Sequence, residues 1–182
     1  MKFVLTQISI QIFKSFIILV AFFVFGSAFA DQPTFVKSNG PSVAFLEHYD
    51  TNGNLVQLEP GGRFYHMAIS FQGKWLQAHP YQGVVLVDID ELEKMGTVTE
   101  IVRVNSPELT LEDIKPYLGL RYDQNFSWDD DKMYCSELVA KLLNIQPIPM
   151  VFAPGLWPPQ YQQYNGLPGI SPDKIYLLLK AE

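Results

Sequence analysis

The 182-residue chain carries 13 Lys and Arg against 19 Asp and Glu, a net charge of −6, with 48% hydrophobic residues and one cysteine. An acidic chain without clustered Lys and Arg excludes a nucleic-acid backbone as partner and gives no electrostatic attraction to an anionic membrane surface. One cysteine excludes an internal disulfide, so its thiol is either a buried packing residue or one kept for reactivity.

The first thirty residues have the pattern of a secretory signal. Lys2 and Lys14 are their charges, an apolar stretch runs from Phe16 to Phe25, and Ala28-Phe29-Ala30 offers small residues for cleavage after Ala30. The apolar core falls short of the roughly 20 residues that a bilayer span needs. Residues 31–182 then form one domain, periplasmic or secreted, two charge units more acidic than the whole chain and without an integral membrane span.

That domain begins with an expected hairpin, Val43–His48 and Leu55–Leu58, around Asn52-Gly53, a dipeptide suited to a type I′ turn. An alternating strand follows from Phe64 to Phe71, then a Gln72-Gly73 turn and a strand from Lys74 to His79. Val84–Ile89 and Thr97–Val104 are further β-rich runs, separated by a short helical stretch over Asp90–Met95. Thr110 caps another short helix. An amphipathic helix starts at Cys135, with apolar residues at Cys135, Leu138, Val139, Leu142 and Leu143. Pro147–Pro172 is too proline-rich for regular structure, and Lys174–Leu179 is expected as a closing strand. The class is α+β with a mostly antiparallel sheet.

Cys135 stands in the first turn of its helix, where unpaired backbone N–H groups and the helix dipole favour thiolate. A base for it must come from His48, His66 or His79. His66 shares a strand face with Phe64, Ala68 and Ser70. A two-residue Gln72-Gly73 turn pairs Phe71 with Lys74, which puts His79 opposite His66 and Gln77 opposite Ala68, on the same side as His66. A polar residue there can hold the imidazole by its second nitrogen. The competing interpretation is that His66 is a hydrogen-bonded strand histidine and Cys135 a small core residue among leucines, against which stands the position of Cys135 in the first helical turn. Asp123–Asp129 alternates oxygen-bearing residues like a calcium loop, but it lacks the required Gly and the terminal bidentate Glu, and is a polar loop. His66, His79 and Cys135 lack the close-spaced pairs of zinc sites. Trp157-Pro158-Pro159-Gln160-Tyr161 is a candidate lid or groove wall.

Gly119-Leu120-Arg121-Tyr122-Asp123, Phe126 and Lys132-Met133-Tyr134-Cys135-Ser136-Glu137-Leu138-Val139 resemble the signature around the nucleophile in the YiiX/YycO-like proteins, permuted members of the papain-like, NlpC-type superfamily. His66-Met67-Ala68-Ile69 is similar to that family's histidine strand, Leu76-Gln77-Ala78 and Gly83-Val84 to the segments that follow it, and Ile170-Ser171-Pro172-Asp173 to the stretch before its last strand. Histidine before cysteine is the permuted order. The resemblance implies a circularly permuted papain-like fold, with an antiparallel sheet packed against the nucleophile helix. It implies Cys135 as nucleophile and His66 as base, with Gln77 where the family commonly has an orienting Glu, and it calls for no cofactor. Gly61-Gly62-Arg63-Phe64 replaces the Gly-Asp-Ile motif usual before the histidine.

The chemistry expected of these groups is acyl transfer through a thioester. The Cys135 N–H is the oxyanion donor, with Tyr134 and Ser136 as side-chain candidates for oxyanion or substrate binding and His79 as an alternative orienting group. Glu137 is expected as a surface or capping carboxylate. The resemblance points to a cysteine hydrolase of amide-type bonds, with cell-wall peptides as candidate substrate. Lipid acyl hydrolysis or transfer, and a catalytically weak binding module with the same fold, are the alternatives.

Overall fold

The structure is a computed structural model that describes residues 40–181; the signal segment and its cleavage site lie outside the described residues. Five strands form one sheet: β1 (Ser42–Glu47), β2 (His66–Phe71), β3 (Lys74–His79), β4 (Gly83–Val87) and β5 (Thr97–Arg103), in the order β4-β3-β2-β1-β5. Every neighbouring pair is antiparallel. Gln72 and Gly73 both take left-handed φ values, 47° and 78°, as a type I′ turn requires. That turn fixes Phe71 against Lys74 and Ile69 against Leu76.

The hairpin expected at Asn52-Gly53 is reduced to its turn. The Asp50 carboxylate accepts the Asn52 and Asn54 N–H groups, and Tyr49 and Leu55 form one antiparallel bridge. Leu55–Leu58 goes no further as a partner of β1, which instead lies between β2 and β5. Val43, Ala44, Phe45 and Leu46 are all fully buried, so this strand is apolar on both faces and belongs at the centre of a sheet.

Helix α3 (Cys135–Leu142) packs on one face of the sheet, where Leu138 and Val139 meet Met67, Ile69, Leu76 and Ala78. Ala68 lies on the opposite side, with Ala44, Leu46, Val87 and Leu92 of α1 (Ile89–Leu92). A side chain as small as Ala68 leaves room for that second layer, while Met67 and Ile69 supply the apolar area that a helix stripe needs.

Thr110 caps α2 (Leu111–Ile114) in a reciprocal exchange with Asp113. Two short strands, β6 (Arg121–Tyr122) and β7 (Lys132–Met133), pair in parallel and lead into α3. Gly83 has φ of 73°, and a Cβ there would lie 2.2 Å from the Leu120 carbonyl oxygen, so only glycine lets β4 approach β6.

The proline-rich stretch is mostly irregular, closed by a two-residue ribbon of β8 (Ile148–Pro149) and β9 (Pro168–Gly169) and a 3-10 segment at Pro159–Tyr164. The closing strand expected at Lys174–Leu179 is instead helix α4 (Pro172–Lys180). The Ser171 hydroxyl accepts the Lys174 N–H, Pro172 stands in the first turn, and Ile175 is fully buried. An N-cap followed by Pro is a helix-start signal, and it outweighs the β-like run Ile175–Leu179.

Candidate active site

Cys135 is the first residue of α3, 6% exposed, and lies deeper than the core–solvent boundary the sequence suggested. Burial pushes its thiol up to about 11, while the backbone N–H groups of Ser136 and Met67 work in the opposite direction by favouring thiolate. Met67 follows His66 directly, so the start of β2 presents a backbone donor to the sulfur and an imidazole beside it. Cys135 and His66 both line one cavity of about 550 Å³.

His66 is buried, and its Nε2 lies 2.8 Å from Gln77 Oε1. An amide oxygen only accepts, so Nε2 carries the proton and Nδ1 holds the free lone pair. Burial lowers the imidazole pKa to about 4, opposed by the Gln77 hydrogen bond and assisted by His79. At neutral pH the resting pair is therefore a neutral thiol and a neutral imidazole. The Gln77 Nε2 is fully buried without a hydrogen-bond partner. His79 is not the group holding His66: its Nδ1 accepts the Tyr81 and Gln82 N–H groups in the turn after β3. His48 stacks on Tyr65.

Tyr134 and Ser136, the side-chain oxyanion candidates, both reach Ile170, and the Ser136 hydroxyl also bonds the Cys135 sulfur. The Tyr134 hydroxyl accepts the Ile170 N–H at 3.2 Å, and the Ser136 hydroxyl donates to the Ile170 carbonyl at 2.7 Å. Residues on both sides of the nucleophile thus grip one residue, Ile170, at the end of the proline-rich stretch. Three residues on, the Asp173 carboxylate accepts the Arg63 and Phe64 N–H groups at 2.7 and 3.2 Å, holding the chain that enters β2.

Tyr65 and Tyr122 line the cavity with Cys135, and the phenol pKa of each is raised first by burial and next by the nearby Cys135. They stay protonated donors within electrostatic reach of the sulfur. The sequence placed Tyr122 in the Gly119–Asp123 motif without a role and passed over Tyr65. Its one usable signal was that Tyr65 adjoins the histidine.

Glu137 is a capping group but not a surface one. It is fully buried, accepts the Tyr134 N–H at 3.4 Å and pairs with Lys141 at 3.0 Å. Burial raises its carboxyl to about 7 against the pull of Lys141. Asp123, also buried, accepts Asn125 N–H, Ser127 N–H and the Ser127 hydroxyl, so the polar loop spends its oxygens on itself.

The far wall of the cavity comes from the proline-rich stretch: Met150, Phe152, Leu156, Trp157 and Tyr161. Phe126, Phe152, Trp157 and Tyr161 pack ring against ring at 5.0 to 5.9 Å. The Trp157 indole donates to the Leu58 carbonyl at 2.6 Å.

The model of the permuted papain-like amidase enzymes, YaeF/YiiX, matches residues 54–163, more than half of the chain. The chain belongs to this amidase family. Among solved structures it is similar to the metalloprotein YiiX from Escherichia coli, at a TM-score of 0.51 and 21% identity, covering 75% of this chain and 91% of that one. That likeness is one of fold. A curated relative, the uncharacterized protein YiiX of Escherichia coli, is 61% identical over 28 residues, 15% of this chain and 14% of its own length. As a family member the chain has the permuted papain-like fold, and the family supports a cysteine hydrolase of the amidase type. The solved YiiX is called a metalloprotein; in this chain no three His, Cys, Asp or Glu side chains converge for a metal among the described residues. The His79 Nδ1 is also already taken.

Proposed function

We propose that this chain is an exported cysteine hydrolase that cleaves amide-type bonds through Cys135 and His66. The observation that carries the reading is the placement of the helix-start thiol and an imidazole of fixed tautomer on one cavity. His66 Nδ1 takes the thiol proton as sulfur attacks the acyl carbon, since neither group is charged at rest. The tetrahedral oxyanion faces the Cys135 backbone N–H at the helix start, with the Tyr122 phenol as second donor. His66 returns the proton to the leaving amine, giving a thioester on Cys135. Water, activated by the same Nδ1, then releases the acid and restores the thiol. Gln77 keeps the imidazole in register throughout as a positioning residue.

A cell-wall peptide suits an exported amidase. The cavity itself favours a second reading, because Val56, Leu58, Met150, Phe152 and Leu156 make its walls apolar. Such walls gain from an acyl chain, and the charges of the lining are confined to Glu59 and Lys174. The test is incubation with p-nitrophenyl esters and anilides of short and long acyl groups, following p-nitrophenol or p-nitroaniline release and the mass of Cys135. A burst matched by one acyl group on Cys135, lost in Cys135→Ala, is the expected result. Faster acylation by longer chains selects the lipid-like acyl reading. A thiol that never acylates assigns the chain to a binding module that keeps the fold.

A further inference from the structure

From Leu142 to Pro172 there is no Asp, Glu, Lys or Arg, 31 consecutive residues in a chain where 18% of residues are charged. This run contains the flap closed by the β8–β9 ribbon, and it presents aliphatic side chains outward. Ile148, Val151, Leu156 and Leu167 are 39%, 63%, 38% and 46% exposed. The ribbon ties Leu167 to Met150 through a backbone hydrogen bond and Ile148 to Gly169, and Val151 and Leu156 follow it in the chain. Ile148, Val151 and Leu156 also line the cavity that holds Cys135. The apolar surface is therefore continuous with the mouth of the site.

We infer that this flap docks the protein on the surface of a zwitterionic lipid bilayer, from which an acyl-bearing amphiphile enters the cavity. The inference rests on the cavity being the substrate site proposed above. Three observations select this occupant. A surface without charges loses no ionic hydration on entering the headgroup region, whereas a protein interface is normally rimmed by charged residues. Trp157, Tyr161 and Tyr164 belong to the same flap and pack ring against ring, and such aromatics favour the boundary between headgroups and acyl chains. The chain's net negative charge opposes an anionic surface, which leaves a zwitterionic one.

The experiment is flotation of the full chain with phosphatidylcholine vesicles, beside the Val151→Glu/Leu167→Glu double variant. The N-terminal segment is common to both chains, so any difference reports the flap. The expected result is at least about tenfold weaker partitioning of the variant, the factor that burying one aliphatic side chain supplies. Equal partitioning overturns the inference. A second measurement needs no flap substitution: in the Trp75→Phe/Trp128→Phe chain, brominated phosphatidylcholine should quench the remaining Trp157 emission, and unquenched emission overturns the inference. Cys135 acylation by a water-soluble ester is followed in parallel. If acylation fails while the variants differ in flotation, the hydrolase reading falls and the docking surface stands.

Discussion

The β2–β3 hairpin and the flap from Ile148 to Gly169 face each other across one cavity and are held in opposite ways. The hairpin is regular: a left-handed Gln72-Gly73 turn sets the register, and the register delivers Gln77 to the His66 imidazole. The flap has only a two-residue ribbon of its own and is held by rings against Phe126 and by the Trp157 bond to Leu58. Proton transfer tolerates little displacement, and it is assigned to the part whose geometry the backbone dictates. Substrate fit tolerates more, and it falls to the part built from side-chain packing.

Removing the hairpin's base should have the largest effect. His66→Ala is expected to lower Cys135 acylation by roughly 10²–10⁴-fold, measured by burst kinetics, and to lower the melting transition as well, since it leaves a cavity and an unpaired buried Gln77 amide. Acid tests the same side chain through stability. The folded pKa of His66 is about 4, below the ordinary value of 6.5, so the unfolded chain binds this proton first as pH falls. Stability should therefore drop between pH 6.5 and 4, by about 3 kcal/mol from this group. Urea unfolding of His66→Ala should lack that part of the pH slope.

On the flap side, Trp157→Phe keeps most of the ring packing and removes the donor to Leu58. The expectation is about 1 kcal/mol of lost stability and a raised KM for the preferred acyl substrate with kcat little changed. The finest adjustment is Gln77→Glu. A carboxylate facing Nε2 favours imidazolium and has no orphaned donor, so the His66 pKa should move upward from about 4 in an NMR titration. A Gln77→Glu chain with an unmoved His66 titration would mean that the amide contact is packing alone.

The hairpin was legible because its information is local: period-two alternation, a turn dipeptide, and a register that follows from turn length. Cys135 was legible because a helix start with a buried stripe has its own pattern. The flap and its neighbours were not, for physical reasons that differ by residue. Tyr134 and Ser136 were assigned to the oxyanion from adjacency to the nucleophile, but their hydroxyls meet Ile170, 36 and 34 positions away. Tyr122 lines the cavity with the thiol because a parallel bridge to β7 carries it there, a pairing no local pattern announces. The β1 hairpin failed because the sheet offered β1 two long partners in place of one short one. The α4 error was avoidable, since Ser171-Pro172-Asp173 is a helix-start signal that the apolar run Ile175–Leu179 obscured.

Ile170 and Asp173 lie three residues apart, one gripped by both neighbours of the nucleophile and the other holding the entry to the histidine strand. In the order of synthesis, His66 comes first, Cys135 second, and the segment that ties their two elements together after both. A nascent chain thus holds the thiol and the imidazole before it holds the contacts that align them.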